Sequence, residues 1–147
     1  MYKKKLITGI ANDHAGFALK LKIVAYFVQK GYEIKDFGSH TSESVDYPDY
    51  AHTLAKAVSD GECDFGISIC CTGNGINMAV NKHEAIRGAL CWNSEISVLA
   101  RAHNDANVCS LPADFISEEV AYEIIDKFLN TQFENGRHKR RVEKIKC

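Results

Sequence analysis

Short β-rich apolar runs alternate with amphipathic runs along almost the whole chain, and this alternation constrains the fold more than any other feature. Leu6-Ile7-Thr8-Gly9-Ile10-Ala11 reads as a strand. From Phe17 to Gln29, residues Leu19, Ile23, Val24, Phe27 and Val28 fall at helical spacing. Gly31 stands where a helix C-terminal glycine belongs. Tyr32 to Phe37 reads as the second strand, and Ala51 to Val58 as a helix with Asp49 as its cap. Phe65 to Ile69 is the third strand and Asn77 to Lys82 a short helix. Ile86 to Trp92 is the fourth strand, followed by a helix from Ser94 to Ala102 with a serine cap. Val108 to Leu111 is the fifth strand. A last long helix carries Val120, Ile124, Ile125, Phe128 and Leu129 on one face, capped by Ser117 with Glu118 and Glu119 in its first turn. Such β-α alternation predicts a parallel sheet with helices on both faces. Right-handed crossovers make it an α/β, Rossmann-like or flavodoxin-like three-layer sandwich with a five-stranded parallel sheet.

The 147 residues suit one domain, and 46% are hydrophobic, enough for a substantial core. A net charge of -1 argues against binding nucleic acid over the whole surface. The strongly basic stretch is Arg137-His138-Lys139-Arg140-Arg141, without interleaved aromatic residues, which disfavours a nucleic-acid tail. No apolar run reaches membrane-spanning length. Met1-Tyr2-Lys3-Lys4-Lys5 leads directly into the first strand and is not a signal peptide. The six cysteines contain no CxxC pair, so a zinc site is not expected and a reduced, cytoplasmic protein is the simplest reading.

In parallel α/β sheets, ligands bind outside the carboxyl ends of the strands. Asn12, Asp13 and His14, the turn from Cys70 to Gly75, and Trp92-Asn93 all fall at such ends. The run Ile67-Ser68-Ile69-Cys70-Cys71-Thr72-Gly73-Asn74-Gly75 ends an apolar strand in a thiol, then a glycine-rich turn. Backbone amides there can hold an anion beside a thiolate. This reads as a base or nucleophile next to an oxyanion or phosphate site. A buried cysteine closing a strand is the plain alternative. Asp13-His14 can orient an imidazole or bind sugar hydroxyls, while Asp13 can also simply cap the helix near Ala15. His103-Asn104-Asp105-Ala106-Asn107 is a dense polar cluster that would serve equally as a loop. Arg137 and Arg141 share a face if the tail is helical, and guanidinium groups suit a phosphate dianion.

Several landmarks occur together in order. They are Asn12-Asp13-His14-Ala15-Gly16, Asp46-Tyr47-Pro48, Ile69 to Gly75, Ala79-Val80-Asn81-Lys82, His103 to Asn107, and Gly136 to Glu143. From Ile7 to about Ile145 the chain resembles the type B ribose-5-phosphate isomerase family, which includes the galactose-6-phosphate isomerase subunits. The resemblance implies an aldose–ketose isomerase acting through a cis-enediolate, with no metal and no cofactor. It implies a homodimer or dimer of dimers of Rossmann-like subunits, with sites between subunits and the basic tail (about 134–147) packed on the partner. It gives Cys70 the role of base, since Ile76 stands where another branch carries a glutamate. Thr72 would assist proton handling, and the backbone of Cys71, Gly73, Asn74 and Gly75 would form the anion hole. His103 would open the furanose ring, with Asn104 beside it. Asp13 and His14 would contact sugar and phosphate, Tyr47 would lie in a substrate-side loop, and Arg137 and Arg141 would bind the phosphate.

Two positions depart from the family pattern. Cys71 stands where glycine is usual, and Asp114 where a phosphate-binding arginine is common. A carboxylate about 6 Å from a phosphate charge costs ~2–3 kcal/mol at an effective dielectric of ~20, so Asp114 is expected to pair with Arg137, Arg140 or Arg141 instead. Ribose 5-phosphate is the expected substrate. A hexose 6-phosphate such as galactose or allose 6-phosphate is the alternative, and a sugar-phosphate-binding or thiol-redox protein without isomerase activity a third.

Overall fold

Apolar β-branched residues build the two central strands, and the chain winds outward from them. The computed structural model describes residues 5–147, so the Met1 to Lys4 part of the lead-in lies outside the described residues. In chain order the elements are β1 (Ile7–Asn12), α1 (Phe17–Gln29), β2 (Glu33–Asp36), α2 (Tyr47–Ser59), β3 (Phe65–Cys70) and α3 (Asn74–Val80). They continue with β4 (Gly88–Leu90), α4 (Ser94–Asn104), β5 (Val108–Pro112), α5 (Glu118–Asn130) and α6 (Gly136–Glu143). The strands form one sheet in the order β2-β1-β3-β5-β4, every pairing parallel, as the alternation predicted.

That order explains the layering. Connections running toward β2, or back from β4 to β5, must place their helices on the face opposite to those running the other way if all crossovers are right-handed. Accordingly α1, α4 and α5 pack with Ile10, Ile67, Ile69, Cys109 and Leu111 in one cluster. Helices α2 and α3 pack on the other face with Ala11, Cys70 and Val108. Phe27 and Phe128 are fully buried in the first cluster. Each such side chain contributes about 1.5–3 kcal/mol by leaving water. On the second face α2 comes very close to the sheet. A Cβ at Gly9 would meet Leu54 Cδ1 at 2.7 Å.

The helix ends show where local signals sufficed. Gly31, with φ 87°, closes α1 while Tyr32 N donates to Phe27 O at 3.0 Å and Gly31 N to Val28 O at 2.9 Å. Tyr32 is thereby spent on the helix closure, and β2 starts one residue later than the apolar run implied. Ser117 caps α5, accepting from Val120 N at 3.2 Å. Three helix starts need correction. Helix α2 begins at Tyr47 with Asp46 at its N-cap position, because Pro48 is preorganised for a first turn, and Asp49 sits inside that turn. Asn93, not Ser94, caps α4: its Oδ1 accepts from Ile96 N at 2.9 Å, while Ser94 Oγ donates to Glu123 Oε1. Helix α3 starts at Asn74, inside the glycine turn.

Candidate active site

The carboxyl ends of β1 and β3 are drawn together by the turn that follows β1. Asp13 N donates to Ile69 O at 3.1 Å, and Gly16 lies so close that a Cβ there would meet Ile69 O at 2.8 Å. Asp13, buried, accepts from Ala15 N at 3.0 Å and from Gly16 N at 3.2 Å through Oδ1. It thus braces the turn ahead of α1, whose N-cap residue is Gly16. Behind this turn a fully buried ammonium holds the neighbouring loop. Lys20 Nζ donates to both oxygens of Asp36 and to Ser39 O at 2.8 to 3.0 Å. His14 Nδ1 faces the backbone of Val45, 3.2 Å from its nitrogen and 3.3 Å from its oxygen. Asp13, His14, Tyr47 and the segment around them line a groove of about 500 Å³ that also contains Asp46 and Asp49. Its three carboxylates accept hydrogen bonds from hydroxyl groups and repel a phosphate, which suits the sugar end of a ligand.

Cys70 ends β3 only 4% exposed, and the amide of Gly73 donates to its sulfur at 3.2 Å. Gly73 adopts φ 73°, and a Cβ there would come within 3.0 Å of the Leu111 carbonyl carbon, so the turn requires glycine. Thr72 Oγ1 accepts from Asn74 N at 3.2 Å. Two of the amides expected to bind an anion are therefore engaged inside the turn. The first turn of α3 still presents amides that no helical carbonyl can satisfy. Gly75 supports Tyr47: a Cβ at Gly75 would lie 2.5 Å from Tyr47 Cζ, so the ring rests directly on the turn.

The two unusual positions of the sequence meet here. Cys71 Sγ donates to Asp114 Oδ2 at 3.0 Å, and Asp114 N donates to Cys71 O at 3.1 Å. Asp114 is thus held at the end of β5 by Cys71 and not by the tail arginines, as had been expected. The hydrogen bond to Asp114, then desolvation, push the Cys71 thiol above its usual range, so it is a donor and not a thiolate near neutral pH.

His103, Asn104, Arg137 and Arg141 form a second group elsewhere. Helix α4 starts beyond the carboxyl end of β4 and runs back, so His103 and Asn104 end that helix near the amino edge of the sheet. Just past them, Asn107 O accepts from Gly66 N at the start of β3. The length of β3, about 17 Å at 3.3 Å per residue, separates that edge from Cys70. The polar run is therefore a helix end and not merely a loop. Asp105 closes it with φ 48°, clamped by Arg87 at 3.0 Å and Arg101 at 2.8 Å. The tail is helical as α6 and packs on α4 of its own chain. The His138 ring stacks on His103, centroids 4.1 Å apart and planes 9° from parallel. Arg137 and Arg141 are exposed on either side of His138, four residues apart. Glu134 lies 3.4 Å from His138 Nε2 and 3.8 Å from His103 Nε2. Neither Glu134 nor His138 stood out in the sequence as a site residue. The signal available was their spacing of four, with His138 between the two arginines.

The parallel sheet and the thiol turn at its carboxyl edge define a doubly wound α/β protein with a candidate small-ligand site at its strand ends. The chain belongs to the ribose/galactose isomerase family, whose model matches residues 8–145. It is 46% identical to ribose-5-phosphate isomerase B of Escherichia coli (strain K12) over 142 residues, covering 97% of this chain and 94% of that protein. The crystal structure of a Thermotoga maritima ribose 5-phosphate isomerase superposes with a TM-score of 0.95 at 46% identity, covering 96% of this chain and 97% of the other. The Mycoplasma genitalium ribose-5-phosphate isomerase B, solved with bound ribulose 5-phosphate, gives a TM-score of 0.92 at 37% identity, with 97% and 95% covered. No helix among the described residues is long and apolar enough to cross a membrane.

Proposed function

We propose that this protein is an aldose–ketose isomerase interconverting ribose 5-phosphate and ribulose 5-phosphate, with each active site built from two copies of the chain. The observation that carries the reading is the Cys70 thiol, desolvated at a strand end and receiving the Gly73 amide, beside a groove suited to sugar hydroxyls. The Escherichia coli relative's activity and the ribulose 5-phosphate bound to the Mycoplasma genitalium enzyme support the substrate. The separation of the Cys70 and His103 groups within one chain supports a homodimer or larger assembly, in which Cys70, Thr72, Asp13, His14 and Tyr47 of one copy face His103, Asn104, Arg137 and Arg141 of another. All six cysteines are free, in keeping with a reducing compartment such as the cytoplasm.

The chemistry follows from these positions. His103 donates a proton to the furanose ring oxygen as the anomeric hydroxyl gives its own to solvent water, opening the ring to the aldehyde. The Cys70 thiolate then removes the C2 proton. Charge moves onto O1, where the amides of the turn stabilise the enediolate. Thr72 passes a proton from O2 to O1, and the Cys70 thiol returns its proton to C1, leaving the ketose. Arg137 and Arg141 hold the phosphate bidentately, which fixes the reacting carbons over the thiol. No metal or redox cofactor enters these steps.

A second reading keeps the chemistry with a different phosphosugar, such as a hexose 6-phosphate. The fixed Asp114 carboxylate favours it, because an acceptor at that strand end suits an added hydroxyl. Turnover of a phosphosugar panel, with solvent-deuterium incorporation at C1 and C2 followed by NMR, tests both. Fast exchange with ribose 5-phosphate supports the first reading, faster exchange with a hexose phosphate the second, and no exchange with any of them would sink both.

A further inference from the structure

The group around α6 has a second chemical capacity. One ring nitrogen of His103, one of His138 and a carboxylate oxygen of Glu134 all lie within 4.8 Å of one another. In a tetrahedral site with ligands about 2.0–2.2 Å from the ion, neighbouring donor atoms stand about 3.3–3.6 Å apart. The two histidine-to-carboxylate distances, 3.4 and 3.8 Å, are already close to that edge length. We propose that His103, Glu134 and His138 form a binding site for one Zn²⁺ ion, and that the bound ion removes His103 from the isomerisation. The inhibitory half rests on the function proposed above; the binding half does not.

The donor set suits the ion. Two imidazoles and one carboxylate are ordinary zinc ligands, and three of them leave a fourth position for water. A ligating histidine must be neutral. His138 is buried and held in place, which limits the ordering needed on binding. Two features oppose the ion. The rings are stacked, so the half-exposed His103 has to turn out of the stack to aim its lone pair at a shared centre. Arg137 and Arg141 act on His138 as cations and repel a dication, weakening the site without removing a ligand. A phosphosugar held by the same arginines competes with the ion for His103.

The test uses the full chain in its native assembly. Zn²⁺ is titrated by calorimetry, and Co²⁺ is used as a spectroscopic stand-in. The expected result is one ion per chain, visible bands of four-coordinate Co²⁺ without thiolate-to-metal charge transfer, and loss of that ion in both Glu134→Gln and His138→Gln. His52→Ala must retain it, since His52 Nδ1 and His83 Nε2, 2.8 Å apart, are the other place where two imidazoles meet. Zn²⁺ should depress turnover in the wild type, reversibly with a chelator, and much less in Glu134→Gln. Ion binding unchanged in both variants overturns the site, as do thiolate bands that put the ion on Cys70, Cys71 or Cys147. A chain that binds zinc through this triad but turns over no phosphosugar keeps the site and overturns the isomerase reading instead.

Discussion

The thiol of Cys71 is hydrogen-bonded to the Asp114 carboxylate at 3.0 Å, across the ends of β3 and β5. Each residue explains the other. A carboxylate at the lip of the proposed anion site would be a liability if it were free, and a thiol beside Cys70 would invite oxidation if it ionised. Together they form a neutral donor and a fixed acceptor.

Cys71 should consequently alkylate slowly. With iodoacetamide near pH 8, followed by peptide mass spectrometry, it should lag behind the exposed Cys147. Asp114→Asn removes the charge that raises the thiol pKa, and each unit of lowered pKa gives about tenfold more thiolate in this range. A Cys71 that reacts as fast as Cys147 in the wild type would refute the pairing.

Cys70→Ala and His103→Ala should each lower kcat by roughly 10²- to 10⁴-fold, the usual contribution of an acid or base. If a site draws one from each of two copies, mixing the two inactive variants with subunit exchange restores activity. In a random dimer mixture roughly a quarter of wild-type activity returns, since half the dimers are mixed and each has one intact site. No recovery under conditions where exchange is demonstrated separately would place both residues in one chain's site.

Arg137→Ala should raise KM for the phosphosugar by about 10- to 100-fold with kcat nearly unchanged, reflecting one lost charge-assisted contact. Steady-state kinetics decide this. An equal fall in kcat and kcat/KM would mean that the arginine acts on the transition state.

Gly75→Ala places a methyl group where Tyr47 Cζ lies 2.5 Å away. The ring has to move off the turn, at about 1–3 kcal/mol in urea-unfolding stability. Turnover should fall as well, because the groove loses its wall. The double change Gly75→Ala with Tyr47→Ala should recover most of the stability but not the activity.

Acid should weaken the fold partly through His138. Its folded-state pKa is below the ordinary 6.5, so the unfolded chain binds the proton more readily. This stability is present above pH 6.5 and is lost as pH falls through the folded value. The drop in urea midpoint between pH 7.5 and a pH below the folded value should be smaller in His138→Gln than in the wild type. An identical drop would show that other groups carry the whole effect.

Much of this architecture could be read along the chain. Helix α1 has the bounds its periodicity implies, and Ser117 caps α5, because both signals are carried by a few neighbouring residues. Asp13-His14 and the Cys70 turn follow apolar strands, so their place at the sheet's carboxyl edge follows from α/β geometry alone. The start of α3 was hidden because a glycine-rich turn has little helical propensity of its own, and packing beneath Tyr47 decides it. The start of α2 depended on how Asp46 and Pro48 share a first turn.

Other facts have no local signature. Asp114 is forty-three residues from Cys71, and only the adjacency of β3 and β5 brings them together. The same holds for Lys20 beneath the Gly38–Ser39 loop. Sequence order places His103 between two expected site segments, yet α4 runs antiparallel to the strands and carries it to the opposite edge from Cys70. Periodicity and capping are local free-energy preferences, so the sequence alone determined the elements and their chemistry. Strand order, and with it the placing of Cys70 and His103 at opposite edges of the sheet, comes from burying both faces of one sheet at once, and only the tertiary structure decided it.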